Sequence, residues 1–136
     1  MIYRKSIVVV GWVCLGLNAL ACSSGRDVEV SGTVTAASGL TLGDKLVIDF
    51  LEVEGEGEDR TTSLAQSSAL AQTGDFKETV SIAGDKVLVR VIDDRNGDGT
   101  CSANEAWGEA EATIADDKAE ALSIKLSAAA CPAEAE

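Results

Sequence analysis

Oxygen-bearing side chains recur at a fixed spacing directly after the apolar run 87–92. Counted from Asp94, they fall at positions 1, 3, 5, 9 and 12, and Gly99 stands at position 6, where the chain must turn sharply. Calcium is a hard cation that takes about six to eight oxygen ligands. The spacing therefore predicts a calcium site whose ligands are Asp94, Asn96, Asp98, the carbonyl of Thr100, a water held by Ser102, and Glu105.

A tight acidic turn is the alternative interpretation of the same residues. Asn96-Gly97 and Asp98-Gly99 are strong turn pairs, and a solvated turn needs no metal. Turn chemistry accounts for the glycines but gives no reason for Glu105, so calcium is the favoured hypothesis. Crowded carboxylates repel one another without a cation, so we expect an empty loop to be mobile and a filled loop to be ordered.

The elements that position this loop are predicted to be strands. The run before it, Val87 to Ile92, is rich in β-branched side chains and fits a strand with its valines inward and Arg90 outward, which disfavours a helix–loop–helix site. Similar period-two patterns predict strands over 27–36, 45–53, 76–82, 86–92, 108–114 and 120–126. The Gly84-Asp85 turn predicts that 76–82 and 86–92 form a β-hairpin.

Two segments are harder to assign. Residues 61–74 fit a helix or a strand, and a connection or an edge strand is the safer prediction. Residues 54–59, rich in Glu and Gly, are predicted to be a solvated loop, with a second cation site as the alternative. With no confident helix between the strands, we expect an all-β fold: a small antiparallel β-sandwich, prealbumin-like or Ig-like, of about seven strands.

The loop resembles the calcium-binding modules of a known family. A strand followed by Asp94, Asn96, Asp98, Gly99, Glu105 and Gly108 resembles the prealbumin-like β-sandwich modules of bacterial surface proteins, such as the B-type domains of serine-aspartate repeat adhesins. This chain differs in having Ser102 where an acidic ligand is common, Cys101 inside the loop, and a single module. The resemblance implies that calcium stabilises the fold and that the module serves binding or interaction.

The N-terminus predicts export. Arg4 and Lys5 precede an apolar run over 7–17 that is too short for a comfortable membrane span, and Ala21 lies where a peptidase would cut. The segment Ala-Leu-Ala-Cys22 resembles a bacterial lipobox, which implies a lipidated Cys22 and, with the two following serines, outer-membrane sorting. Plain signal cleavage is the alternative. We divide the chain into a signal peptide (1–21), a lipidated tether (22–26), a β-sandwich domain (27–131) and a C-terminal tail (132–136).

Two cysteines remain after the signal peptide and Cys22 are set aside. Cys101 and Cys131 most simply form a disulfide in an exported chain, closing a loop of about 30 residues and contributing roughly 3 to 4 kcal/mol. Two unpaired thiols are the alternative. Trp107 is predicted to cap the core or cover the acidic loop.

Charge and composition narrow the function classes. The formal net charge is −12, which becomes −14 without Arg4 and Lys5, and this acidity opposes binding to nucleic acid or to anionic lipid. The chain has no histidine and no Gly-rich phosphate loop, so we predict that it is not an enzyme. The first hypothesis is a calcium-stabilised envelope lipoprotein, anchored in the membrane by its lipid and binding an envelope or surface protein. The second is a non-catalytic structural or accessory envelope protein whose acidic loop binds no specific metal.

Overall fold

The computed structural model describes residues 25–102 and 104–131, which fold into two packed β-sheets. The predicted signal peptide, the Cys22 lipidation site and the C-terminal tail lie outside these residues. Within them we number seven strands: β1 Arg26–Ala36, β2 Leu46–Glu54, β3 Thr61–Leu70, β4 Gly74–Ile82, β5 Lys86–Asp93, β6 Trp107–Thr113 and β7 Lys118–Leu126. A short 3-10 helix, Gly57–Asp59, lies in the acidic loop before β3.

The two sheets confirm the predicted β-sandwich. One sheet has the strand order β4-β1-β7, and the other has the order β3-β2-β5-β6. The pairings are antiparallel, except that β7 lies parallel to β1. This parallel pair departs from the fully antiparallel expectation. It arises because β7 returns from β6 in the other sheet and is not joined to β1 by a tight turn.

The core lies between the sheets and is built from the alternate residues that the period-two patterns predict. Phe50 of β2 and Phe76 of β4 meet across it, with ring centroids 6.3 Å apart and planes tilted by 59°. Tilted aromatic pairs of this kind are favourable beyond the area they bury. The largest side chains that are fully buried are Phe50, Ile48, Ile82, Ile124, Leu126, Val28, Val30, Val34, Val80, Val87, Val89 and Val91.

The predicted hairpin of 76–82 and 86–92 is wrong, because β4 and β5 belong to different sheets. The Gly84-Asp85 connection crosses from one sheet to the other: the carbonyl of Gly84 accepts a bond from Arg26 (3.2 Å), and that of Asp85 accepts one from Ile114 (2.8 Å). Both faces of β5 are apolar, since Leu88 and Ile92 are buried on the face opposite Val87, Val89 and Val91. Such a strand is most stable between two neighbours, here β2 and β6.

Residues 61–70, whose conformation the sequence leaves open, form the edge strand β3. It pairs antiparallel with β2, and the register shifts between Phe50 and Leu51 because Ala65 is an extra residue, a β-bulge. The bulge turns Leu64 to the outer face of the sheet, where it is 60% exposed. β3 therefore covers little of the core, which explains why its sequence has no clear apolar period.

The sandwich closes where β6 approaches β7. Trp107 and Ser127 exchange two backbone hydrogen bonds of 3.0 Å. At the next residue, Gly108, an added Cβ would lie 2.3 Å from the carbonyl oxygen of Lys125 on β7. The backbone of β7 thus occupies the space of a side chain, and only glycine fits at this position.

The part of the chain that the structure describes contains no helix that is long and apolar enough to cross a membrane.

We predict that Gly108→Ala destabilises the fold by about 1 to 3 kcal/mol, because the new methyl group meets backbone that cannot move aside. Urea unfolding measures the change. Gly84→Ala is the matched control: the nearest atom to its added Cβ, within 4 Å, is the carbonyl oxygen of Val53 at 3.3 Å. An equal loss in both variants would contradict the role assigned to Gly108.

Candidate metal site

The acidic loop joins the end of β5 to the start of β6, and both of its ends are tied down. The backbone N–H of Asp93 donates to the carbonyl of Ala106 (2.8 Å), which brings the two ends of the loop together. The N–H of Asp94 donates to the carbonyl of Lys45 (2.9 Å), just before β2 begins. The loop therefore leaves the sheet and returns to it at two points that hydrogen bonds hold together.

Three carboxylates converge inside this loop. Oxygen atoms of Asp94, Asp98 and Glu105 all lie within 4.8 Å of one another. Asp94 and Glu105 are buried, and Asp98 is exposed. Hard cations such as calcium and magnesium prefer clustered carboxylate oxygens, and this donor set fits either of them.

The two buried carboxylates also accept hydrogen bonds from the backbone of the loop. Asp94 accepts from the N–H of Asp98 (3.2 Å) and from that of Gly99 (2.8 Å). Glu105 accepts from the N–H of Asn96 (3.2 Å) and from that of Ser102 (2.8 Å). Each carboxylate thus spans the loop, and Glu105 has a structural role that turn chemistry did not require.

The remaining predicted ligands lie around Asp98. The amide nitrogen of Asn96 donates to Asp98 Oδ2 (3.2 Å) and to Ser102 Oγ (3.1 Å), and Ser102 Oγ lies 3.4 Å from the same Asp98 oxygen. Asn96 therefore presents a donor to these oxygens, while its Oδ1 accepts the N–H of Asp98 (3.2 Å). Thr100 contributes its N–H, which donates to Asp98 Oδ1 (3.0 Å).

The same N–H of Thr100 lowers the pKa of Asp98 below its usual value of 3.8; desolvation offsets part of this effect, and side-chain hydrogen bonds add to it. A lowered folded-state pKa means that the ionised carboxylate stabilises the folded state. That contribution is present above the unfolded pKa and is lost as the pH falls through the folded pKa. Asp98 is therefore an anion at neutral pH, as a cation ligand must be.

Sequence reasoning missed Asp93, a fully buried carboxylate next to the loop. Its Oδ2 accepts the backbone N–H of Gly43 (3.0 Å) and forms an ion pair with Arg95 (3.0 Å), whose guanidinium also donates to the carbonyl of Thr41. Its Oδ1 is buried without a hydrogen-bond partner among the described residues. Asp93 ties the segment 41–43 to the loop. The sequence contains a signal for this burial: Asp93 lies two residues after Val91, so it continues the alternation that turns Val87, Val89 and Val91 inward.

The disulfide between Cys101 and Cys131 is confirmed, with Cα atoms 5.8 Å apart. It fixes the end of the described chain against the acidic loop. Trp107 reinforces this contact, because its indole N–H donates to the carbonyls of Ala130 (2.9 Å) and Ala129 (3.2 Å). Trp107 thus ties residues 129 and 130 to the start of β6, beside the disulfide that joins Cys131 to the loop.

Comparison of the chain with protein families, with curated proteins and with solved structures finds no significant match. The site is therefore interpreted from its own geometry.

We predict that Cys101→Ser/Cys131→Ser lowers the free energy of unfolding by about 3 to 4 kcal/mol, because the bridge spans 30 residues and restricts the unfolded chain. Urea unfolding of the double variant measures this loss. The wild-type protein after reduction should show the same loss. Unchanged unfolding in the double variant would mean that the bridge adds nothing to stability.

Proposed function

We propose that this protein is a cell-envelope lipoprotein whose β-sandwich is stabilised by calcium and serves as a binding or interaction module. The observation that carries the proposal is the convergence of Asp94, Asp98 and Glu105 in one loop. Export and lipid anchoring at Cys22 rest on the N-terminal sequence pattern, with the outer membrane as the expected location. The resemblance to prealbumin-like surface modules supports an interaction role.

Electrostatics favours a cation in this loop. Like charges this close repel one another, and the burial of Asp94 and Glu105 reduces the screening that water would provide. The backbone N–H groups that bond Asp94 and Glu105 offset part of this repulsion. A divalent cation among the three carboxylates would convert the remaining repulsion into attraction, which supports a metal site over an acidic turn.

The expected affinity suits a structural staple and not a sensor. Extracellular modules bind calcium with dissociation constants of about 0.1 to 1 mM. With about 1 mM calcium outside the cell and a dissociation constant near 0.1 mM, binding adds roughly 1.4 kcal/mol of stability. That gain matters for a small domain and leaves the fold intact when calcium is scarce.

A specific observation also supports the second candidate, an accessory envelope protein whose loop binds no specific metal. Four backbone N–H groups donate to Asp94 and Glu105, so both buried carboxylates have partners other than a cation. The two candidates differ in one measurable property, the dependence of stability on calcium. Both are non-catalytic, and the acidic charge of the chain disfavours nucleic acid as a partner of either.

We predict that millimolar calcium raises the thermal midpoint of the purified protein by about 5 °C over its value with chelator. Glu105→Gln should abolish the rise, because it removes one charged ligand from the cluster. Thermal melts followed by circular dichroism make the comparison.

Glu120→Gln is the matched control for this melt, since Glu120 is an exposed carboxylate on β7, outside the loop. It should keep the full calcium response. Identical wild-type melts in calcium and in chelator would contradict the calcium site and favour the second candidate, an accessory protein with an acidic turn. A response to magnesium that exceeds the response to calcium would reassign the metal.

For the anchor, we predict that Cys22→Ser abolishes incorporation of labelled palmitate and releases the protein from the membrane fraction of a bacterial host. Cys14→Ser should leave both unchanged, because Cys14 lies inside the predicted signal peptide. Equal labelling of the wild-type protein and Cys22→Ser would reject lipidation at this residue.

A further inference from the structure

Strand β3 leaves one backbone edge without a partner. It pairs with β2 on one side, and among the described residues no strand lies on its other side. The unpaired N–H and C=O groups of an edge strand can form a ladder with another chain. β3 is ten residues long, which makes this edge one of the longer ones in the molecule.

The β3 edge differs from the other sheet edges in its lack of charge. A quarter of the whole chain is charged, yet no Asp, Glu, Lys or Arg occurs from Thr61 to Gly74. Charged side chains on edge strands normally prevent pairing between chains. The other edge strands carry such residues: β4 has Asp75, Lys77 and Glu78, β6 has Glu109 and Glu111, and β7 has Lys118, Glu120 and Lys125.

Side-chain hydrogen bonds hold the second half of β3 in place. Glu78 of β4 accepts from Gln66 (2.9 Å) and from Ser68 (3.2 Å) on the inner side. Ser67 donates to Asp49 (2.6 Å) on the outer side. These bonds present an extended strand whose backbone is already ordered, so pairing with it would cost little further entropy.

The bulge determines which part of β3 can pair. Ala65 interrupts the regular alternation, and an interrupted strand is a poor template for a continuous ladder. The segment Gln66–Leu70 is free of this defect, since it stays in constant register with β2 from Phe50 to Leu46. Its residues alternate regularly between the two faces of the sheet.

We propose that Gln66–Leu70 pairs antiparallel with the same segment of a second copy of this chain, with the two-fold axis at Ser68. An antiparallel pair of identical strands is self-complementary, as a symmetric dimer requires. The axis at Ser68 places Ser67 opposite Ala69 of the second copy, and Gln66 opposite its Leu70. Both members of each pair then lie on the same face of an eight-stranded sheet.

A second copy fits this edge because it brings a strand that is equally free of charge. The chain has a formal net charge of −12, so two copies repel at most surfaces and approach most easily through an edge that carries no charge. A basic partner would be attracted to the acidic loops instead. A ladder of five residues buries less area than a standard interface of about 1,600 Å², so the association is weak and depends on protein concentration.

Two charge variants test the pairing and its register. Ser67→Lys/Ala69→Lys places lysine opposite lysine at both flanking pairs, which disfavours the dimer. Ser67→Lys/Ala69→Glu places lysine opposite glutamate at the same pairs and restores it. Sedimentation of the full chain in density-matched detergent, from the highest attainable concentration through stepwise dilution, measures the mass.

We expect the wild-type protein and the Lys/Glu variant to double in mass with concentration, and the Lys/Lys variant to stay monomeric. Ser123→Lys adds a single lysine at an exposed position of β7, away from the β3 edge, and should dimerise like the wild type. A wild-type protein that stays monomeric overturns the inference, even if this edge binds an extended segment of another protein. A Lys/Lys variant that still dimerises also overturns it. Each sample is measured in calcium and in chelator. The inference is independent of the metal proposal, and either one fails without the other.

Discussion

Two buried carboxylates, Asp94 and Glu105, determine the structure of the loop between β5 and β6. A buried charge without partners costs several kcal/mol, so the chain must supply donors at both residues. It does so with backbone N–H groups from the loop itself, and the glycine at position 99 lets the chain turn back far enough to donate. Adjacent Asp93 points to the opposite side of the strand and ties down the segment 41–43 in the same way. Consecutive acidic residues thus anchor two different stretches of chain to the end of one central strand.

The same end of the sandwich carries the covalent and close backbone contacts between the two sheets. One partner of each contact lies in the acidic loop or directly after it: Cys101 of the disulfide, Trp107 of the hydrogen bonds, and Gly108 where β7 approaches. A site for a hard cation benefits from such support, because ligands held by rigid neighbours lose little entropy on binding. The open side of the sandwich is different: β3 touches β4 mainly through polar side chains, and its outer edge faces solvent. The described part of the molecule therefore has one reinforced end and, at β3, a sheet edge that carries no charge.

Much of the fold follows from alternation alone. Period-two patterns predict β1 and β2 to within a residue or so, and they also place Asp93 on the inner face, although its role was missed. Alternation did not predict which strands are neighbours, because the pattern within one strand does not depend on the strand it pairs with. A glycine turn between two alternating runs fits a hairpin and a crossing between sheets equally well, so β4 and β5 were paired wrongly. β3 was left open because an edge strand is ordered by the hydrogen bonds of one neighbour and needs no apolar face.

The sequence by itself determined the all-β class, the disulfide and the residues that gather in the acidic loop, because each depends on local spacing or on simple counting. The tertiary structure decided which strands are neighbours, which carboxylates are buried, and which edge is left without a partner. These properties depend on how two sheets share one core, since a strand with two apolar faces takes a central place only when both neighbours are available. The lack of charge in residues 61–74 is visible in the printed sequence. Its meaning depends on the position of β3 at the edge, where unpaired backbone groups face solvent.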